Sequence, residues 1–65
     1  MEYPYLGYRK VDNEKMVVVL FTSKDTGVVV HTETQGPMYR FGKNAEFDEE
    51  DFLFLPAEQY VTLNN

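Results

Sequence analysis

His31 is the one histidine of the chain and the first residue to consider for acid–base or metal chemistry. It lies within a valine-rich segment, and Glu33, two residues further on, would share its strand face. A catalytic base needs a positioned nucleophile or carboxylate, and a metal ion needs several ligands. One histidine beside one acid is common on an ordinary sheet surface, so we expect His31 to be a solvent-side strand residue.

The chain offers no arrangement for nucleophilic catalysis or phosphate binding. Its one serine, Ser23, stands in a predicted turn, and no third residue completes a triad with Ser23 and His31. The four glycines are dispersed and form no phosphate-cradling loop. Cysteine is absent, which excludes disulfides and cysteine zinc sites. We therefore expect a protein that is not an enzyme, with no catalytic residue, no metal and no other cofactor.

A dense run of carboxylates follows Asn44. Its members are Glu46, Asp48, Glu49, Glu50 and Asp51. A calcium loop needs oxygen ligands at alternating positions and a glycine at its sharp turn, and this run has neither. We expect a solvated helical turn with Asp48 as N-cap and Asp51 in a capping-box role. The functional alternative is an acidic recognition patch for a basic partner surface.

Two clusters interleave aromatic and basic residues, as single-strand nucleic-acid binders do. In the first, two bases follow Tyr8, and in the second Arg40 stands between Tyr39 and Phe41. Packing in a small tryptophan-free core is the more ordinary role of such aromatic residues. We take Tyr39 and Phe41, together with the acidic run, as the candidates for binding a partner.

The element expected to position these residues is a valine-rich hairpin. Residues 16–22 and 28–34 are predicted strands, and the turn at residues 23–27 joins them. Gly27 would adopt a positive φ there, as in a type I turn followed by a bulge. Because the first strand is apolar on both faces, it needs cover on both sides.

Short segments on either side of the hairpin could provide this cover. Residues 3–8 are predicted to form an edge strand or a covering arm, since Pro4 cannot donate to a central ladder. Residues 11–15 are predicted to form a turn. Residues 38–41 are predicted to form a short third strand.

The last third of the chain is predicted to close the structure. The acidic run forms the one helical turn, Pro56 ends the apolar run at residues 52–55, and residues 58–63 form a final strand. Four to six short strands with one helical turn predict a mainly β fold. It is either a small SH3-like barrel or a rolled antiparallel sheet, forming a single domain over residues 1–65.

Composition and charge favour an ordered, acidic protein. The chain has 65 residues, is 43% hydrophobic and carries a net charge of −5. Residues 1–43 have a balance of +1, whereas residues 44–65 carry six acids and no base. This distribution gives a weak case for general nucleic-acid binding, which needs a basic face. No signal peptide or membrane span is expected, so we predict a cytoplasmic protein.

The chain resembles a loose family of very small, uncharacterised tailed-phage and prophage proteins over most of residues 17–64. Their pattern is a valine-rich strand entering a Lys-x-x-Gly turn, an aromatic-x-x-Gly step and an aromatic-acidic-x-x-x-Phe segment. The matching residues are Lys24, Gly27, Tyr39, Gly42, Phe47, Asp48 and Phe52. Phe47 stands where such proteins often carry tryptophan. The resemblance implies a phage or prophage origin and the cytoplasm of a bacterial host, but no activity or substrate.

These observations together predict a non-enzymatic protein that binds another protein in the bacterial host and modulates a host factor. The alternatives are a self-associating structural or accessory phage protein and a single-stranded nucleic-acid binder. If the flanking segments cover the central strand, recognition is expected at the acidic turn. If they do not, the uncovered valine face is itself the expected binding surface.

Overall fold

The structure, a computed structural model, describes residues 2–63 and is built on one antiparallel sheet. Its strands are β1 (Tyr5–Val11), β2 (Lys15–Ser23), β3 (Thr26–Thr32), β4 (Asn44–Glu46) and β5 (Leu53–Phe54). Two 3-10 helices, Pro37–Tyr39 and Glu49–Asp51, and one α-helix, α1 (Ala57–Leu63), complete the order of elements. Across the described residues, no helix has both the length and the apolar character that crossing a membrane requires.

The predicted fold class, mainly β with short helical segments, is confirmed. The sheet has the strand order β4-β3-β2-β1-β5, and every neighbouring pair is antiparallel. Within residues 2–63 the strands β4 and β5 remain separate edges, so the sheet is open and is not a closed barrel. The valine-rich strand β2 lies at its centre, between β1 and β3.

One face of β2 packs against a layer of aromatic rings. Val17, Val19 and Phe21 are fully buried on this face, and Val29 of β3 joins them. The rings over them come from segments that follow β3. They are Tyr39, Phe47 and Phe52, with centroid separations of 5.9 Å between Tyr39 and Phe47 and 6.3 Å between Phe47 and Phe52.

The segment after β5 lies on the other face of β2, where Val18 is also fully buried. Leu55 is only 2% exposed, and its backbone N–H donates to the Leu6 carbonyl at 2.9 Å. Tyr60 of α1 donates its hydroxyl to the Val30 carbonyl at 3.2 Å. Both faces of the central strand are therefore covered within one chain, and the hairpin is a scaffold.

The N-terminal segment, predicted to form an edge strand or a covering arm, instead contributes an inner strand. β1 lies between β2 and β5, and it pairs with both of them. Pro4 precedes β1, so its missing N–H removes nothing from the ladder. The predicted turn at residues 11–15 is present, and Asp12, Asn13 and Glu14 all have positive φ.

The β2–β3 turn has its left-handed residue at a different position from the predicted one. Asp25 has φ 56°, and Gly27 is already a strand residue paired with Phe21 and Ala45. The absence of a side chain matters at Gly27 for another reason. A Cβ there would lie 2.6 Å from the Leu20 carbonyl oxygen, because the strands approach closely at this point.

Two predicted strands are helical. In place of the strand predicted at residues 38–41, a 3-10 helix begins at Pro37 and ends at Tyr39. Proline is suited to the first helical position, and the helical turn directs Tyr39 inward, where it stacks on Phe47. The prediction for residues 58–63 is wrong because these residues belong to α1. The Tyr60 N–H donates to the Pro56 carbonyl, four residues earlier, at 3.2 Å. An alternation of apolar residues over so short a stretch does not separate strand from helix.

We expect Gly27→Ala to destabilise the fold by about 1–3 kcal/mol, because the new methyl would overlap a backbone oxygen in the close-packed sheet. Gly36→Ala is the matched control, since the nearest atom to its Cβ would be 3.4 Å away. Urea unfolding of both variants measures the difference. Equal stability of Gly27→Ala and the wild type would contradict the close approach.

Candidate functional site

The acidic run is divided among several structural tasks. Asp48 caps the second 3-10 helix as predicted, and its Oδ1 accepts from the Glu50 N–H at 3.0 Å. Asp51 does not close a capping box. Its carboxylate instead lies 3.6 Å from Arg9 Nη1, on a neighbouring strand. A prediction from local spacing alone missed this longer-range ion pair.

Glu49 ties three separate parts of the chain together. Its carboxylate accepts hydrogen bonds from the hydroxyls of Tyr3 and Tyr5 and from the backbone N–H of Asp25. In return, Asp25 Oδ1 accepts from the Glu49 N–H at 3.0 Å, and the Asp25 carbonyl accepts from the Phe47 N–H at 2.9 Å. We call Tyr3, Tyr5, Asp25 and Glu49 the Glu49 junction.

The hydrogen bonds of the Glu49 junction shift the ionisation of its members. The Tyr5 hydroxyl is the main cause that lowers the pKa of Glu49, because it stabilises the carboxylate. Burial raises the pKa of Tyr5, and its hydrogen bond to Glu49 raises it further. The same two causes raise the pKa of Tyr3. The junction therefore favours an ionised Glu49 beside neutral tyrosines.

The remaining carboxylates of the run are exposed. Across residues 2–63, the side chains of Glu46 and Glu50 make no hydrogen bond or ion pair with another residue. No cluster of three or more metal-binding side chains is found in the same part of the chain. The acidic recognition patch that the sequence suggested thus has fewer free members than the five carboxylates of the run.

His31 is paired with Glu33 as the strand geometry allows, and it is more covered than expected. Its Nε2 lies 3.6 Å from Glu33 Oε2, and its side chain is 26% exposed. The other Glu33 oxygen accepts from the Met16 N–H at 2.8 Å. This backbone hydrogen bond is the main cause that lowers the pKa of Glu33. Glu33 consequently holds the end of the hairpin together.

The second group of candidates lies in a loop that presents apolar side chains to solvent. We call residues 37–43 the presenting loop. Phe41 is 77% exposed and Met38 is 63% exposed. Tyr39, between them in sequence, is 9% exposed and belongs to the core. The two aromatic residues that the sequence grouped together therefore have different roles: Tyr39 anchors the loop, and Phe41 faces outward.

Several contacts hold the presenting loop in place. The Tyr39 ring stacks on Phe47, and its hydroxyl accepts from Arg9 Nη1 at 3.3 Å. The Gly42 N–H donates to the Val29 carbonyl at 2.7 Å, and Gly42 has φ 81°, which suits glycine. The Lys43 N–H donates to the Arg40 carbonyl at 2.9 Å. The loop is thus fixed at both ends before any partner arrives.

The exposed surface of the presenting loop is basic and apolar. A shallow groove of about 490 Å³ is lined by Pro37, Arg40, Phe41, Gly42 and Lys43. Residues 34–45 contain two bases and no acid. The loop itself therefore carries positive charge on a chain whose net charge is −5.

Other apolar side chains are exposed that the sequence alone does not identify. Met38 belongs to the presenting loop, and Leu53 and Phe54 are 64% and 57% exposed on β5, at the far edge of the sheet. Val61 of α1 is 58% exposed. Residues 52–55 read as an uninterrupted apolar run, and such a run does not show which of its members face solvent.

No family model, no curated protein and no solved structure matches this chain. Its function is therefore inferred from the surfaces that the fold builds. These are the presenting loop and the exposed carboxylates Glu46 and Glu50.

We expect the stability of the wild-type chain to fall as the pH drops below about 4.3, the ordinary glutamate pKa. The pKa of Glu49 is lower in the folded chain than in the unfolded chain. The stability that ionised Glu49 contributes is therefore complete above the unfolded pKa and is lost as the pH falls through the folded pKa. Glu49→Gln should lower the urea midpoint at pH 7 and weaken its acid dependence.

Glu50→Gln is the matched control for Glu49→Gln. It removes a neighbouring charge in the same 3-10 helix without removing a hydrogen bond across the junction. Urea midpoints measured between pH 7 and pH 3 should follow the wild type for Glu50→Gln. An unchanged midpoint and acid dependence in Glu49→Gln would show that the junction does not support the fold.

Proposed function

We propose that this chain is a small, non-enzymatic protein that acts by binding another protein through the presenting loop. The observation that carries this proposal is the solvent exposure of Phe41 and Met38 on a loop that backbone hydrogen bonds and the Tyr39–Phe47 stack attach to the core. Exposed apolar side chains with polar groups around them are a common mark of a binding surface when they form a patch. Aromatic and arginine side chains are also the residues that most often dominate interface energy.

The rigidity of the loop supports binding as much as its composition does. Binding through a mobile loop loses conformational entropy, which weakens the affinity. Here the inward Tyr39 and the Gly42 hydrogen bond fix the backbone on either side of Phe41. A partner would therefore meet an ordered side chain instead of having to order the loop.

The acidic turn has a smaller part in the proposed binding. Asp48, Glu49 and Asp51 have partners within the fold, and changing them alters the scaffold along with the surface. Glu46 and Glu50 are the members of the run that can contribute charge to an interface directly. Phe41 is the anchor of the proposed interface, and Tyr39 positions it.

The origin and location of the protein enter the proposal through its resemblance to small tailed-phage and prophage proteins. On that resemblance we propose that the partner is a protein of a bacterial host and that the chain acts in the host cytoplasm. A host factor whose activity changes on binding is the expected target. The presenting loop supports the binding step of this proposal, and the resemblance supports its setting.

The two alternatives have less support. Self-association was suggested by a central strand with two apolar faces, and both faces of that strand are covered within the chain. Nucleic-acid binding was suggested by two aromatic–basic clusters. Arg9 of the first is engaged by Asp51 and by the Tyr39 hydroxyl, and Tyr39 of the second is buried.

Capture of proteins from a bacterial lysate on the immobilised chain tests the proposal. Phe41→Ser should reduce recovery of the captured protein about tenfold or more, because it removes the proposed anchor. Leu53→Ser is the matched control, since it removes a side chain of similar exposure at the opposite edge of the sheet. Both variants change exposed positions, and far-UV circular dichroism confirms that they fold.

Two results would count against this proposal. In the first, the wild-type chain captures no protein above the empty matrix. In the second, Phe41→Ser and Leu53→Ser recover the same amounts, which would remove the presenting loop from the interface.

A further inference from the structure

The outer edge of β4 is open for pairing. The Lys43 carbonyl accepts from Val29, and the Phe47 N–H donates to the Asp25 carbonyl, so residues 43 and 47 bond inward. Ala45 lies between them in register with Gly27. In an antiparallel ladder the inward-bonding residues alternate along the strand. The amides and carbonyls of Asn44 and Glu46 therefore point away from β3.

The opposite edge of the sheet, at β5, offers fewer free backbone groups to an added strand than β4 does. β5 has two residues, and its neighbour Leu55 bonds inward to Leu6. Phe54 is thus the one strand residue there whose backbone points outward. Pro56 follows directly and has no N–H to offer a further strand. The two edges of this sheet differ in what they can accept.

The surface beside β4 carries the chemistry needed to select a partner. Phe41 and the bases Arg40 and Lys43 border the strand on its N-terminal side, next to the groove of about 490 Å³. Residues 34–45 contain no acidic side chain, and Glu46 is the first one that follows. An extended peptide that pairs with β4 would pass close to two positive charges and one exposed aromatic ring.

We propose that β4 accepts an extended, acidic segment of a partner protein as an added antiparallel or parallel strand. The outward groups of Asn44 and Glu46 hold its backbone. Phe41 contacts an apolar side chain of the segment, and Arg40 and Lys43 attract its carboxylates. This inference rests on the proposed function and names the chemistry of the partner that the presenting loop would bind.

The observations favour this occupant over a second copy of the chain. A copy could offer its own β4, but that pair would share only the outward backbone groups of Asn44 and Glu46, and the acidic turn that follows is a 3-10 helix capped by Asp48. Glu49 of that turn is held in the Glu49 junction, and Asp51 is paired with Arg9. Alternating outward amides and carbonyls along an edge also match a peptide backbone better than they match phosphates.

The probe is the peptide acetyl-(Glu-Val)4-amide, added at millimolar concentration to the isotope-labelled full chain. We expect amide resonances of residues 42–46 to shift in two-dimensional NMR spectra. Acetyl-(Lys-Val)4-amide, with the same strand-forming valines and the opposite charge, should cause no shift. Arg40→Gln combined with Lys43→Gln should weaken binding of the acidic peptide several-fold.

Asn44→Pro separates backbone pairing from side-chain contact. It removes an outward-pointing N–H that the β3–β4 ladder does not use, and we expect it to weaken the acidic peptide about tenfold or more. Asn44→Ala keeps the N–H and should bind as the wild type does. If Asn44→Pro perturbs the spectrum of the free chain, Glu46→Pro with Glu46→Ala repeats the comparison at the other outward position.

The inference is overturned if the acidic peptide causes no shifts, if both peptides bind equally, or if the proline variants bind as well as their alanine controls. It is also overturned if residues 42–46 shift with protein concentration alone, which would make a second copy the occupant, or if oligothymidylate binds there instead. If capture from the lysate depends on Phe41 but the acidic peptide does not bind, the proposed function stands and only the strand addition is excluded.

Discussion

The requirement to cover both faces of β2 organises this small protein. A chain of 65 residues has little material for two layers, yet Val17, Val18 and Val19 are all fully buried. The aromatic layer on one side and the segment around Leu55 and α1 on the other come from the residues after β3. Hydrophobic burial on this strand therefore fixes where the later segments must run, and these segments carry every surface considered for function.

The fold class followed from the sequence because it depends on β2 and β3, whose valine runs identify both strands on either side of a turn. The predictions that were wrong concern short elements. The 3-10 helix at Pro37–Tyr39 exists because Tyr39 stacks on Phe47, a contact eight residues away that no local pattern contains. α1 was read as a strand because seven residues show too little periodicity.

The candidate site was predictable in composition but not in arrangement. Asp48 was recognisable as a cap because capping depends on near neighbours. The role of Glu49 was hidden because its partners Tyr3, Tyr5 and Asp25 are 24 to 46 residues away in sequence. The same limit applies to Tyr39 and Phe41, since alternate residues of a loop share no fixed orientation. Long-range packing decides which member of such a pair faces solvent.

The difference between the two edges of the sheet limits how far this protein can assemble. A filament that grows by strand addition needs an acceptor at each end of every subunit, so that one contact always leaves another available. Here β5 is short and ends at Pro56, whereas β4 alone has two residues with outward backbone groups. Under the proposed strand addition, one added strand for each chain is therefore the expected stoichiometry. If β4 accepts a strand as proposed, this asymmetry favours a single added strand over growth into fibres.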